Sequence, residues 1–226
     1  MQQTALNLIA IGVFGMTLSA LLGPLFNISP AIPAVATFGI LSLVTLDSFS
    51  FQGKGVNLLL DSVAGISSQH RDRIIQHEAG HFLVAYLLGI PITGYTLTAW
   101  EALKQNQPGL GGVTFDNEQL SPDALDAVEM RLTLERFCTV WMAGIAAENL
   151  VYGNAEGGAE DRDKLTNALI TLGRSLSQCQ QQEKFAQLQA KTLIEENWSS
   201  YQALVEAMKT RASVAQCYQV IESHKL

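Results

Sequence analysis

Charge is absent from the start of this chain. Between Met1 and Leu46 there is no Asp, Glu, Lys, Arg or His, and Asp47 is the first charged residue. That absence excludes an ordinary water-soluble beginning, because such a run has nothing polar enough to hold it in water. Basic residues are also in short supply throughout: 14 Lys and Arg stand against 21 Asp and Glu, for a formal net charge of -7. They form no cluster, so a nucleic-acid partner, which needs concentrated positive charge against phosphate, is excluded. Cysteine is scarce and odd in number. Cys138, Cys179 and Cys217 lie far apart and make no C-x-x-C pair, which excludes a disulfide framework and a Cys-based zinc site and implies free or buried thiols in a reducing compartment. No G-x-x-x-x-G-K-[ST] loop occurs anywhere, so this chain should not hydrolyse ATP. Internal repeats and low-complexity tracts are missing too.

What fills the uncharged region is hydrocarbon. Ala5 to Phe26 is about 22 residues long, enough to cross a bilayer as a helix. Ile32 to Leu46 is shorter and marginal alone, but adequate when extended back through Ile28, Ser29 and Pro30. Asn27 to Pro33, with Pro30 and Pro33, forms the turn of a transmembrane helical hairpin. Gly15, Ser19 and Gly23 make a small-residue row suited to close helix approach. A cleaved signal peptide is disfavoured by the lack of N-terminal Lys or Arg and of a cleavage site. Lys54, Arg71 and Arg73 follow the second apolar segment while the turn carries no basic residue. The positive-inside rule therefore places the remainder of the chain on the cytoplasmic side, or the stromal side of a plastid membrane.

The densest chemical signal is His77-Glu78-Ala79-Gly80-His81. In a helix, residues four apart share a face, so the two imidazoles can reach one metal ion with Glu78 close by. Two neutral His nitrogens suit zinc, and a carboxylate beside a zinc-bound water can act as its base. Ser67 or Ser68 caps this helix, which runs to about Leu88, with Gly89 past its end and Pro91 beyond. Gly80 costs that helix about 1 kcal/mol relative to Ala and leaves room beside the metal. Ile92–Thr98 and Gly112–Phe115 are expected as short strands flanking a Gly-rich turn at Pro108–Gly112. A helix opens at Ser121-Pro122-Asp123 and runs to Val151. Another starts near Glu160 or Asp161, and the helical remainder breaks near Asn197 or Ser199-Ser200. The organisation is a membrane hairpin at 1–47, a linker at 48–67 and a mainly α domain with a small β element at 68–226.

The segments HEAGHFLVAYLLG, GVTF, AGIAAENLVYG and GGAEDRDKLTNAL occur in that order. They resemble the peptidase domain of the FtsH-type membrane-anchored zinc proteases, over roughly Ser68 to Leu172. The resemblance implies a helical zinc-peptidase fold, His77 and His81 as zinc ligands and Glu78 as catalytic base. It also implies a third ligand at the start of the helix after Gly157-Gly158. Matching Thr166-Asn167 to the family's T-N puts Asp161 there; matching Gly158-Ala159 puts Arg162 there, which cannot bind zinc. Asp161 is preferred, with Asp163, Glu160 and Glu148 as alternatives, Glu148 being also suited to support a ligating His. The family's AAA+ module is missing, so this chain is more similar to the stand-alone, ATPase-less relatives of cyanobacteria and plastids.

These readings converge on an integral membrane zinc metalloendopeptidase acting on unfolded or membrane-associated proteins. Its expected partners are protein or peptide substrates, membrane lipid, a separate AAA+ ATPase or FtsH-type complex, and further copies of itself. The alternative is a non-catalytic accessory or assembly subunit for FtsH-type complexes, which would have no need of Glu78. An intramembrane protease is disfavoured, because Arg71, Asp72 and Arg73 precede the motif and the apolar run after His81 is too short to cross. His70 is expected as a solvated surface residue, and His224 lies outside any site.

Overall fold

The computed structural model describes residues 2–29, 31–50, 55, 68–105, 112–116 and 127–225. In chain order the elements are α1 (Gln2–Leu22), a 3-10 turn (Gly23–Phe26), α2 (Ala31–Ser50), α3 (Ser68–Leu87), β1 (Ile92–Tyr95), α4 (Ala99–Lys104), β2 (Val113–Phe115), α5 (Ala127–Tyr152), α6 (Ala159–Thr171), α7 (Leu176–Glu196), α8 (Trp198–Lys209) and α9 (Val214–Ser223). Among the described residues the chain is thus mainly helical with one small sheet. It divides into two compact units, Met1–His70 with Thr98–Gly111, and Arg71–Leu97 with Gly112–Leu226. The Gly-rich turn at Pro108–Gly111, the Ser121-Pro122-Asp123 helix start, Ser67, Lys54 and most of the expected linker lie outside the described residues.

In the first unit, Pro24 opens the 3-10 turn and Asn27 closes it at φ 55°. The Ile28 N–H donates to the Gly23 carbonyl at 2.8 Å. α2 begins at Ala31, earlier than expected, and Pro33 falls in its first turn, where a missing N–H costs nothing. The Thr37 hydroxyl reaches Met16 Sδ at 2.7 Å, tying α2 to α1. Among the described residues, Ile9–Phe26 is the one stretch long and apolar enough to cross a membrane, and Ala31–Asp47 is a shorter apolar helix. The expectation of two full crossings is therefore met by one helix of spanning length. The small-residue row does not act as expected either: a Cβ on Gly15 would meet nothing, so no neighbouring helix approaches there. α2 also continues past Leu46 to Ser50.

The second unit is built on α3 and α5. α3 ends as its sequence demands. Gly89 takes φ +70°, its N–H donates to Tyr86 O and the Ile90 N–H to Ala85 O, so the last carbonyls are satisfied by a glycine-terminated cap. β1 and β2 pair antiparallel with Ile92 opposite Phe115 and Tyr95 opposite Val113, and with an irregularity between Ile92 and Gly94. β1 is shorter than expected. Thr98, expected at the end of the strand, belongs instead to the first unit and caps α4 there by accepting from the Glu101 N–H. Asn197 breaks the C-terminal helical region as expected. Capping boxes at Ser175/Gln178 and Ser213/Gln216 start α7 and α9. A further break at Arg211, φ 60°, was not expected from sequence.

Phe82, Leu83 and Val84 of α3 pack with Phe137 and Val140 of α5 and with Ile194, Leu204, Met208 and Ile221 from the last three helices. A second cluster joins Met142 and Ile145 of α5 to Leu165 and Leu169 of α6 and to Ala186 of α7. Cys138 and Cys179 belong to it, and all three cysteines are buried and unpaired by disulfides. Burial pushes the Cys138 thiol up to about 12, which leaves it an inert apolar filler.

Gly80 serves this packing, which corrects the expectation that it makes room beside a metal. A Cβ there would lie 2.6 Å from the Ala143 carbonyl oxygen and 2.7 Å from the Ala147 Cβ. α3 therefore touches the backbone of α5 at this point. Gly80→Ala would gain about 1 kcal/mol of helix propensity, but it forces two helices apart, a class of change costing about 1–3 kcal/mol. We expect net destabilisation, seen as a lower denaturant midpoint for the fluorescence transition of detergent-solubilised protein; a higher midpoint would mean that α5 yields freely.

Candidate metal centre

α3 lays His77 and His81 one turn apart on the face that meets α5. The rings stand edge to face with centroids 4.7 Å apart. Gly144 of α5 makes this possible, because a Cβ there would collide with the His77 imidazole. The first turn of α6 closes the site with Asp161. Its Oδ2 lies 3.3 Å from His77 Nε2 and 3.5 Å from His81 Nε2. All three side chains are buried, and their three donor atoms lie within 4.8 Å of one another.

Each imidazole is oriented from behind. His81 Nδ1 donates to the Val140 carbonyl at 2.7 Å. A carbonyl can only accept, so this nitrogen carries the hydrogen and the neutral ring presents the Nε2 lone pair to the site. His77 Nδ1 donates to Glu148 Oε1 at 2.7 Å, which turns its Nε2 toward the site. Asp161 is oriented likewise: Oδ1 accepts from Lys164 Nζ at 3.3 Å, leaving Oδ2 toward the imidazoles. Ligand bonds of about 2.0–2.2 Å in a tetrahedron put neighbouring donors about 3.3–3.5 Å apart. The distances from Asp161 fit that spacing. His77, His81 and Asp161 are therefore positioned to bind a metal ion.

The remaining candidates are placed elsewhere. Glu160 and Asp163 are exposed on α6 and outside the cluster. Arg162 donates to Glu183 at 2.9 Å, away from the site. Glu148 stands behind His77, in the supporting role. Glu78 is half-buried, and its Oε2 accepts from the Val113 N–H at 3.0 Å. This fastens the middle of the motif to β2 and keeps Glu78 out of the ligand cluster. His70 is half-buried, not solvated as expected, and His224 is exposed and bonded within its own helix end.

Arg73, which the sequence offers only as one basic residue in the topology count, is 8% exposed. Its guanidinium pairs with Glu148 Oε2 at 2.9 Å and lies over the Tyr152 ring at 4.2 Å. The one sequence signal that could have found it is its spacing, one helical turn before His77 on the same face.

The electrostatics follow from burial against partners. Desolvation disfavours the charged form of Glu148, yet His77, the Glu156 N–H and Arg73 outweigh it and hold its carboxyl down to about 2. Asp161 is likewise desolvated, and the two histidines push it well below the carboxylate range. Burial opposes a charged His77, but the carboxylates of Asp161 and Glu148 prevail and raise it to about 10 in the metal-free site. Comparison of the chain with protein-family models and with curated proteins finds no match.

Two outcomes are expected. Because His77 holds its proton up to about pH 10 without metal, a metal must displace it. Metal affinity should then rise by about tenfold per pH unit from 7 to 9, with one proton released per ion in calorimetry across buffers of different ionisation heat. A pH-independent affinity would show that His77 is not a ligand. Asp161→Ala should lower metal affinity by about 10–100-fold or more, a range that even supporting residues reach, while Asp163→Ala and Glu160→Ala leave it unchanged, as read by competition with a chromophoric chelator.

Proposed function

We propose that this protein is a membrane-tethered, zinc-dependent endopeptidase of the FtsH-like type, acting on unfolded or membrane-associated polypeptides without an ATPase of its own. The observation that carries the reading is the convergence of His77 Nε2, His81 Nε2 and Asp161 Oδ2 around a helix turn that also bears Glu78. Two imidazoles and one carboxylate are a donor set that zinc favours and that leaves a fourth position for water. Zinc, when bound, supplies Lewis acidity that lowers the pKa of its water and polarises a peptide carbonyl.

The protein's own residues do the rest. His77, His81 and Asp161 hold the ion, and Glu148 and the Val140 carbonyl keep both rings in the ligating tautomer. Glu78 is the general base. The Val113 N–H holds its Oε2, leaving Oε1 to take a proton from the attacking water and return it to the leaving amine. The apolar N-terminal helix tethers the peptidase to the membrane, with the catalytic unit on the cytoplasmic or stromal side. Lacking a phosphate loop, the chain takes loose or damaged substrates, or relies on a separate AAA+ ATPase or FtsH-type complex and on self-association for presentation.

The test is Glu78→Gln in full-length protein from carbonate-washed membranes. Cleavage of casein should fall by at least about a hundredfold, the lower range for loss of a positioned acid-base group, while bound zinc stays at the wild-type level. Undiminished cleavage would remove the enzyme reading. Wild-type protein that binds zinc but never cleaves, alone or with an added ATPase partner, would favour the accessory-subunit reading.

A further inference from the structure

The buried charge behind the metal cluster extends further than the imidazole it supports. Glu148 has four partners and every one is specific. Oε1 accepts from His77 Nδ1 at 2.7 Å and from the Gly157 N–H at 3.2 Å. Oε2 accepts from Arg73 at 2.9 Å and from the Glu156 N–H at 2.9 Å. The same Arg73 nitrogen also donates to the Asn154 carbonyl at 2.9 Å. Arg73 and His77 thus grip one carboxylate from a single face of α3, one helical turn apart. The carboxylate and Arg73 together hold the turn from Asn154 to Gly157, which feeds into Gly158, at φ +88°, and so into the first turn of α6, where Asp161 sits.

We infer that Arg73 is a positioning residue of the metal centre. Through Glu148 and Asn154 it sets the orientation of His77 and the entry angle of the helix that delivers Asp161. The inference rests on the reading of His77, His81 and Asp161 as ligands. Geometry gives Arg73 this role and denies it to a simple counter-charge. A counter-ion needs only proximity, but one guanidinium nitrogen of Arg73 joins Glu148 to the Asn154 carbonyl, the other reaches Asn154 Oδ1 and Glu156 Oε1 at 3.4 Å each, and Tyr152 beneath restricts the plane of the fork. An ammonium in its place brings charge without the fork. The arrangement links a ligand on α3 to a ligand on α6 that is 84 positions away in sequence, so loosening Arg73 should misplace both at once.

The experiment is a double-mutant cycle on the full chain in detergent, read by cobalt(II) titration. The visible absorption of bound cobalt reports coordination geometry, and competition with a chelator reports affinity. Arg73→Met alone leaves Glu148 buried without its cation, a strongly destabilising change. The cycle uses Arg73→Met, Glu148→Gln and the two together, and Arg73→Lys in the native background keeps the test decisive should Arg73→Met alone not fold. Glu148→Gln should weaken cobalt binding by about 10–100-fold. Adding Arg73→Met to it should cost at least about threefold less than Arg73→Met costs in the native background, because one of the two groups through which Arg73 acts is already altered. Arg73→Lys keeps the charge and should fold, yet weaken binding by about tenfold and shift the cobalt spectrum. Full additivity in the cycle, or an Arg73→Lys variant with wild-type affinity and spectrum, would overturn the positioning role. If the wild type binds no cobalt, the metal-site reading itself fails, and that outcome is separate from either.

Discussion

The close approach of α3 to α5 is the contact on which the rest of the second unit depends. Gly80 lets the two backbones touch, and Gly144 accepts the face of the His77 ring. Once the helices are that close, the Val140 carbonyl and the Glu148 carboxylate come within 2.7 Å of the two imidazole Nδ1 atoms. Both rings then turn the same edge outward. A wider helix spacing would still bury apolar area, but it would leave these hydrogen bonds unmade and the rings free to rotate. The stereochemistry of the candidate metal site is thus a consequence of two missing Cβ atoms.

Close packing also explains why so much charge is gathered behind the site. Arg73, Glu148 and Asp161 are all nearly inaccessible to solvent. Isolated, each would be costly to bury. Arranged as cation, carboxylate, imidazole and carboxylate, each has an opposite or hydrogen-bonding partner, and the backbone amides of Glu156 and Gly157 complete the set. A divalent cation among the Nε2 and Oδ2 atoms would replace the proton on His77 and continue the same alternation. The apolar unit at the N-terminus solves a different problem. Its side chains remain exposed along the helix, Phe14 at 67%, and Ile9–Phe26 is long and apolar enough to cross a membrane.

Several features were legible in the residues because they depend on neighbours only. The shared face of His77 and His81 follows from a spacing of four in a helix. The end of α3 at Gly89 and the break at Asn197 follow from cap chemistry, and the two short strands from their strand-forming residues. The absence of charge before Asp47 marks the apolar start whatever the fold. The failures also have a pattern. Gly80 reads as space beside a metal and Gly15 as a helix contact, and the structure differs because what each meets, or fails to meet, belongs to another element.

The sequence by itself determined the helical register of the His-Glu-x-x-His turn, the apolar first helix and the lack of a nucleotide-binding loop, because these are properties of local spacing and composition. Only the tertiary structure decided that Asp161, and not Glu160, Asp163 or Glu148, faces the two histidines, and that Glu148 stands behind His77 in the grip of Arg73. Neighbouring carboxylates on one helix start are chemically alike. What separates them is the direction in which the fold points each one, and that direction is set by how α6 enters from a turn held against α5, which no local pattern encodes.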